Sequence, residues 1–178
     1  MRRTHIYLLL LSVTLFSCQG NKNQLILGKW HAVKLENPSM DSFWNSSQAY
    51  IDTIGKNGDA ATNMALYGAT NMDSMRHLLQ QQYDSAKSMQ YNAVLNTTFN
   101  FRKDSVVILS FSGNVDSSKW YFSDKTEKTI ILDDLNGQKG ATPDAKVTMD
   151  ILTLADTALK LRFQENGSAS TVTFHREK

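Results

Sequence analysis

Apolar and polar positions divide the chain into three regimes. Ile6 to Phe16 is an almost unbroken apolar run of eleven residues, followed by the polar stretch "QGNKNQ" at 19–24. From Leu25 to Glu36, "LILGKWHAVKLE" sets apolar residues at 30, 33 and 35 among polar neighbours, which predicts a strand interrupted at Gly28. Between residues 41 and 94 the period lengthens. Phe43, Trp44, Tyr50, Ile51 and Ile54 share one helical face that stops at Gly55. After the turn "GKNGD", Met64, Leu66 and Tyr67 predict a second helical piece, weakened by Gly68. Met75, Leu78, Leu79, Tyr83, Ala86, Met89 and Ala93 then recur at three- and four-residue steps, with Asp73 as the expected N-cap.

From residue 97 the period falls to two. Phe99 and Phe101 alternate, as do Val106 and Ile108, Trp120 and Phe122, Ile130 and Leu132, and Val147, Met149 and Ile151, with Leu154 after a bulge. Leu159, Leu161 and Phe163, then Val172 and Phe174, complete the series. Turn residues separate the runs: Ser112-Gly113-Asn114, Asp124-Lys125, Asn136-Gly137, Asp156-Thr157 and Asn166-Gly167. With the first strand this makes eight. Eight antiparallel strands, each apolar on one side, are best served by closure, because an open sheet would leave two edges and a wet apolar face. The expected fold is therefore mainly β: an eight-stranded antiparallel up-and-down barrel with a helical insertion (41–94) between the first two strands. A two-sheet sandwich is the competing arrangement.

The N-terminus changes the picture of location. Arg2 and Arg3 precede the apolar run, which has signal-peptide length and falls short of the roughly 20 residues that a spanning helix requires. Cys18, the only cysteine, follows immediately after Ser17, with Leu15 three positions before it. This arrangement resembles the bacterial lipobox, in which the signal is cut before a cysteine that becomes lipid-modified; Phe16 departs from the residues usual at its position. The resemblance implies a signal peptide at 1–17, a lipid on Cys18, a polar tether at 18–24 and a folded domain at 25–178. A lipidated Cys18 leaves no thiol for a disulfide or for catalysis. Loss of Arg2 and Arg3 takes the 19 Lys and Arg to 17, equal to the 17 Asp and Glu, so no basic surface is expected for nucleic acid.

Gly28-Lys29-Trp30 on the first strand resembles the G-x-W motif of lipocalins. The ordered phrases "TFNFRKDSVVILS", "KWYF", "MDILTLADTALKLRF" and "TVTFHRE" are similar to those of lipocalin-like lipoproteins of Bacteroidetes. The resemblance implies that Gly28 lets the chain bend at the barrel floor and that Trp30 plugs the closed end. An arginine near the last strand would cover that tryptophan. Arg176 lies in the right region, and Arg162 is the other candidate. The long helical insertion departs from the family, as does the lack of a C-terminal helix and disulfide. The acid-free "CQGNKNQ" favours an outer-membrane lipoprotein facing the periplasm.

Candidate chemistry is sparse. His31, His77 and His175 lie on separate elements without zinc-ligand spacing, so no metal is expected. "GKNGD" lacks the pattern that cradles phosphate, and Asp133-Asp134 would point to opposite faces of a strand. No nucleophile–base pair is evident, and the chain is expected to be neither an enzyme nor a cofactor carrier. The insertion holds Met40, Met64, Met72, Met75 and Met89, five of the six methionines after Met1, and methionine suits apolar surfaces of variable shape. Two readings remain open. In one, the insertion caps the barrel mouth and a hydrophobic small molecule is held by Phe101, Trp120, Met75, Leu79 and Tyr83. In the other, Phe99, Phe101, Trp120 and Phe163 fill the barrel, and the helical surface docks on a periplasmic or outer-membrane protein.

Overall fold

A computed structural model describes residues 22–134, 146–165 and 167–177. Its core is a closed barrel in which each strand pairs antiparallel with the next and the eighth returns to the first. The strands are β1 (Gly28–Glu36), β2 (Thr98–Phe101), β3 (Val106–Phe111), β4 (Asn114–Phe122), β5 (Thr129–Asp134), β6 (Lys146–Leu154), β7 (Ala158–Glu165) and β8 (Ser168–Arg176). The chain thus closes rather than splitting into two sheets, and closure leaves no free sheet edge around most of the wall. Cys18, the apolar run before it and the Asn136-Gly137 turn lie outside the described residues, as does Asn166.

Several boundaries differ from the sequence expectation, each for a local reason; β1, expected from Leu25 with a break at Gly28, starts at Gly28 itself. Lys22–Leu25 forms a single helical turn, α1, so the tether expected through residue 24 ends earlier. The Lys22 ammonium donates to the carbonyls of Thr126 (3.2 Å) and Glu127 (3.0 Å), and Asn23 donates to the Glu127 carboxylate at 2.8 Å. These bonds hold the turn under the barrel floor, where Ile26 is fully buried. The insertion is also longer than 41–94: α2 (Pro38–Thr53), α3 (Ala60–Tyr67) and α4 (Met72–Leu95). Asn37 caps α2 by accepting from the Met40 amide, and Pro38 suits the first helical position, where no amide hydrogen is needed. Asn71, not Asp73, caps α4; Asp73 sits in the first turn and pairs with Arg76 instead. Gly68, with φ of +70°, terminates α3 as a left-handed cap rather than weakening it.

The barrel interior carries a continuous chain of rings. Phe174 meets Phe99 at 4.9 Å between centroids, Phe99 meets Phe101 at 6.1 Å, Phe101 meets Trp120 at 5.4 Å, and Trp120 meets Phe122 at 5.8 Å. Trp30, Val107, Ile130, Leu132, Leu159 and Leu161 complete this buried cluster. Side chains of this size each contribute on the order of 3–5 kcal/mol by large-to-small substitution, so the rings hold the barrel together.

Candidate functional site at the junction of barrel and helices

The two ends of the barrel differ. At the floor, the Arg176 guanidinium lies 4.2 Å from the Trp30 ring centroid. It donates to the carbonyls of Leu25 and Leu27 and, at 2.6 Å, to that of Asp156. The Trp30 indole donates to the Ile26 carbonyl at 2.7 Å. Gly28 has φ of +115°, and a β-carbon there would come within 2.7 Å of Arg176 Nη1. Gly28, Trp30 and Arg176 therefore form one structural plug. Arg162 is elsewhere on the wall, paired with Asp150 at 2.8 Å.

At the other end the wall is built differently. β2 is only four residues long and pairs with Gly28–His31, so β1 outlasts it. The Ala32 amide reaches Thr97, and beyond it the edge of β1 is covered by α4 in place of a strand. The β1–β8 register slips between Ala32 and Lys34. Such a bulge re-aims side chains next to it, and Val33, Lys34 and Leu35 all line the space between β1 and the helices.

That space is a partly enclosed cavity of about 420 Å³. Val33, Leu35 and Val94 line it with Met40 and Trp44 of α2 and Tyr91 of α4. Trp44 is fixed by donation to Gln90 at 2.8 Å and by an edge contact with Tyr83 at 5.3 Å. Asn37, which caps α2, also donates to Ser170 at 2.9 Å, so the cavity roof is tied to β8.

The charged groups of the lining balance. Lys34 and Lys87 face Asp41 and Asp84. Lys34 is committed to Glu36 at 2.8 Å, and Lys160 approaches the same carboxylate at 2.9 Å. Hydrogen bonds from Lys34 and then Lys160 hold Glu36 down to about 2, while the Glu36 hydrogen bond raises Lys34. Lys87 donates to the Tyr83 hydroxyl at 3.3 Å and lies over that ring. Asp84 accepts from Gln80 at 3.0 Å. Lys34 is thus paired with a carboxylate, whereas Lys87 is held by the Tyr83 hydroxyl and ring.

The residues expected to meet a ligand are divided among separate places. Phe101 and Trp120 are buried core residues of the barrel; Phe101 also borders a shallow depression at the floor. Leu79 and Tyr83 line a groove between α2 and α4, and Met75 lies in another between α3 and α4. The junction cavity draws instead on Trp44, Tyr91, Val94 and the β1 bulge. Sequence reasoning missed it because the short β2 and the slipped register are properties of strand pairing.

No family model and no curated protein matches the chain. Among solved structures, the chain is similar to a DUF4847 family protein from Bacteroides vulgatus, with 12% identity and a TM-score of 0.40, over 85% of this chain and 93% of that one.

The register sets His31 opposite His175, and Asp133 pairs with Lys146 at 3.7 Å. Among the described residues, no three of His, Cys, Asp or Glu gather as a ligand set.

Proposed function

We propose that the protein is a non-catalytic binding protein of lipocalin-like type that holds an apolar or amphipathic small molecule between the barrel and its helical insertion. The observation carrying this reading is the cavity of about 420 Å³ behind β1, which lies within the range of small-molecule sites, roughly 300–1,000 Å³. Its walls are mostly apolar and aromatic, with Asn37, Ser88 and Gln90 as polar groups for orientation. The balanced charges favour an uncharged or zwitterionic head. The arrangement differs from a ligand inside the barrel, because the aromatic chain already occupies that space.

The N-terminal pattern supports attachment by lipid at Cys18, on the periplasmic side of the outer membrane. Several acyl chains on one cysteine would make a durable anchor at about 0.8 kcal/mol per buried methylene.

The test is a titration with a non-ionic single-chain amphiphile, such as dodecyl maltoside below its micelle concentration, read by tryptophan fluorescence. A saturable change in emission that is absent in Trp44→Phe and in the cavity-filling Ser88→Phe supports the reading. Signal that persists with Ser88→Phe, or an absence of saturation in the wild type, overturns it.

A further inference from the structure

Given that the junction cavity is a ligand site, as proposed above, we infer that its occupant is an amide-bearing amphiphile. An acylated amino acid amide would pair its secondary amide with the open edge of β1, as a short added strand would.

A strand turns alternate amides and carbonyls to its two sides, and each such group needs a partner once it leaves water. On one side β1 pairs with β8 as far as Glu36. On the other, β2 pairs with it only from Gly28 to His31, and the Ala32 amide donates to the Thr97 carbonyl at 2.9 Å. Beyond Ala32, no backbone or side-chain group among the described residues bonds to that side of the strand. α4 lies there instead, but a helix satisfies its own backbone. Its last carbonyls are taken as well: Asn92 by the Asn96 amide, Ala93 by the Thr97 hydroxyl and Val94 by the Thr97 amide. The helix therefore covers the edge of β1 without pairing with it.

The cavity of about 420 Å³ opens onto this stretch. Lys34 and Leu35 both line it, although successive strand residues point to opposite faces, so the cavity runs along the strand edge and not over one face. Val33 and Leu35 are half-buried, which shelters the backbone between them from bulk water. An open edge presents donors and acceptors in alternation, and a secondary amide in extended form matches both at strand spacing. A sugar hydroxyl can meet one of these groups, but it lacks the rigid pair of N–H and C=O. Met40, Trp44, Tyr91 and Val94 supply an apolar wall for the acyl chain.

The test compares two ligands on the full chain by tryptophan fluorescence. One is N-decanoyl-alanine methylamide; the other is the ester in which oxygen replaces the nitrogen that carries the decanoyl group. Both should bind saturably, the ester more weakly by roughly fivefold or more, because a sheltered acceptor on β1 loses its donor. Hydrogen exchange of residues 33–36, followed by mass spectrometry, should slow by a similar factor when the amide is bound. Equal affinities, or exchange that the amide leaves unchanged, overturn the inference while the cavity remains a ligand site. A preference for the amide that survives Ser88→Phe places it elsewhere and also overturns the inference. Failure of both ligands and of dodecyl maltoside to bind overturns the inference and the ligand site together.

Discussion

Replacing Arg176 by lysine tests the floor of the barrel most sharply. The substitution keeps the charge and most of the stem, but it removes the planar fork that reaches three carbonyls at once while lying over an indole. A lysine can retain one of these bonds. The two it loses are charge-assisted, worth about 1.5–3 kcal/mol each when buried, and Arg176 is only part-buried, so the lower figure applies. The stack on Trp30 adds about 0.5–1 kcal/mol. A net loss of roughly 2–4 kcal/mol is expected, since the lysine can recover some of this through water. In a domain of this size that corresponds to a fall in Tm of about 4–16 °C. Urea unfolding followed by circular dichroism would report a lower midpoint with an unchanged slope. A midpoint within about 0.5 kcal/mol of wild type would refute the reasoning, provided that Trp30→Ala in the same assay costs the 3 kcal/mol or more expected of a fully buried ring.

Other predictions follow from neighbouring features. Gly28→Ala should destabilise by about 1–3 kcal/mol from its positive φ and from displacing Arg176, and by less in an Arg176→Leu background, where only the backbone strain remains; a double-mutant cycle measures the difference. Glu36 is held at about 2 against its ordinary 4.5, so it contributes stability above about pH 4.5 that is lost as pH falls toward 2; the midpoint difference between wild type and Glu36→Gln should shrink across that window in thermal melts. Asn37→Ala removes both the α2 cap and the bond to Ser170, and should cost about 1–2 kcal/mol in urea unfolding while weakening amphiphile binding.

Legibility in the sequence followed the range of the interaction. The strands were legible because alternation reports which face of a local segment is buried; eight such segments favour closure, although a two-sheet sandwich would show the same alternation. Positive φ at Gly28 and the stack of Arg176 on Trp30 fit a pattern of residue types at the two chain ends. Helix limits were less legible: Asn71 and Asp73 are both good capping residues, and only the position of Arg76, which also donates to the Ile54 carbonyl at 2.7 Å, places Asp73 in the first turn. The α1 turn was read as tether because Lys22 and Asn23 find their partners about a hundred positions away, in the β4–β5 turn. The junction cavity was least legible. It exists because β2 stops at four residues and β1 slips by one, and neither event leaves a mark in hydropathy.

The central claim is that the space behind β1 holds a small molecule. Native mass spectrometry of the protein, gently extracted from its own membrane, tests it most directly alongside Ser88→Trp prepared in parallel. The account predicts a mass adduct of one small amphiphile on the wild type that is missing from Ser88→Trp. Equal adducts on both, or none on either, would contradict it.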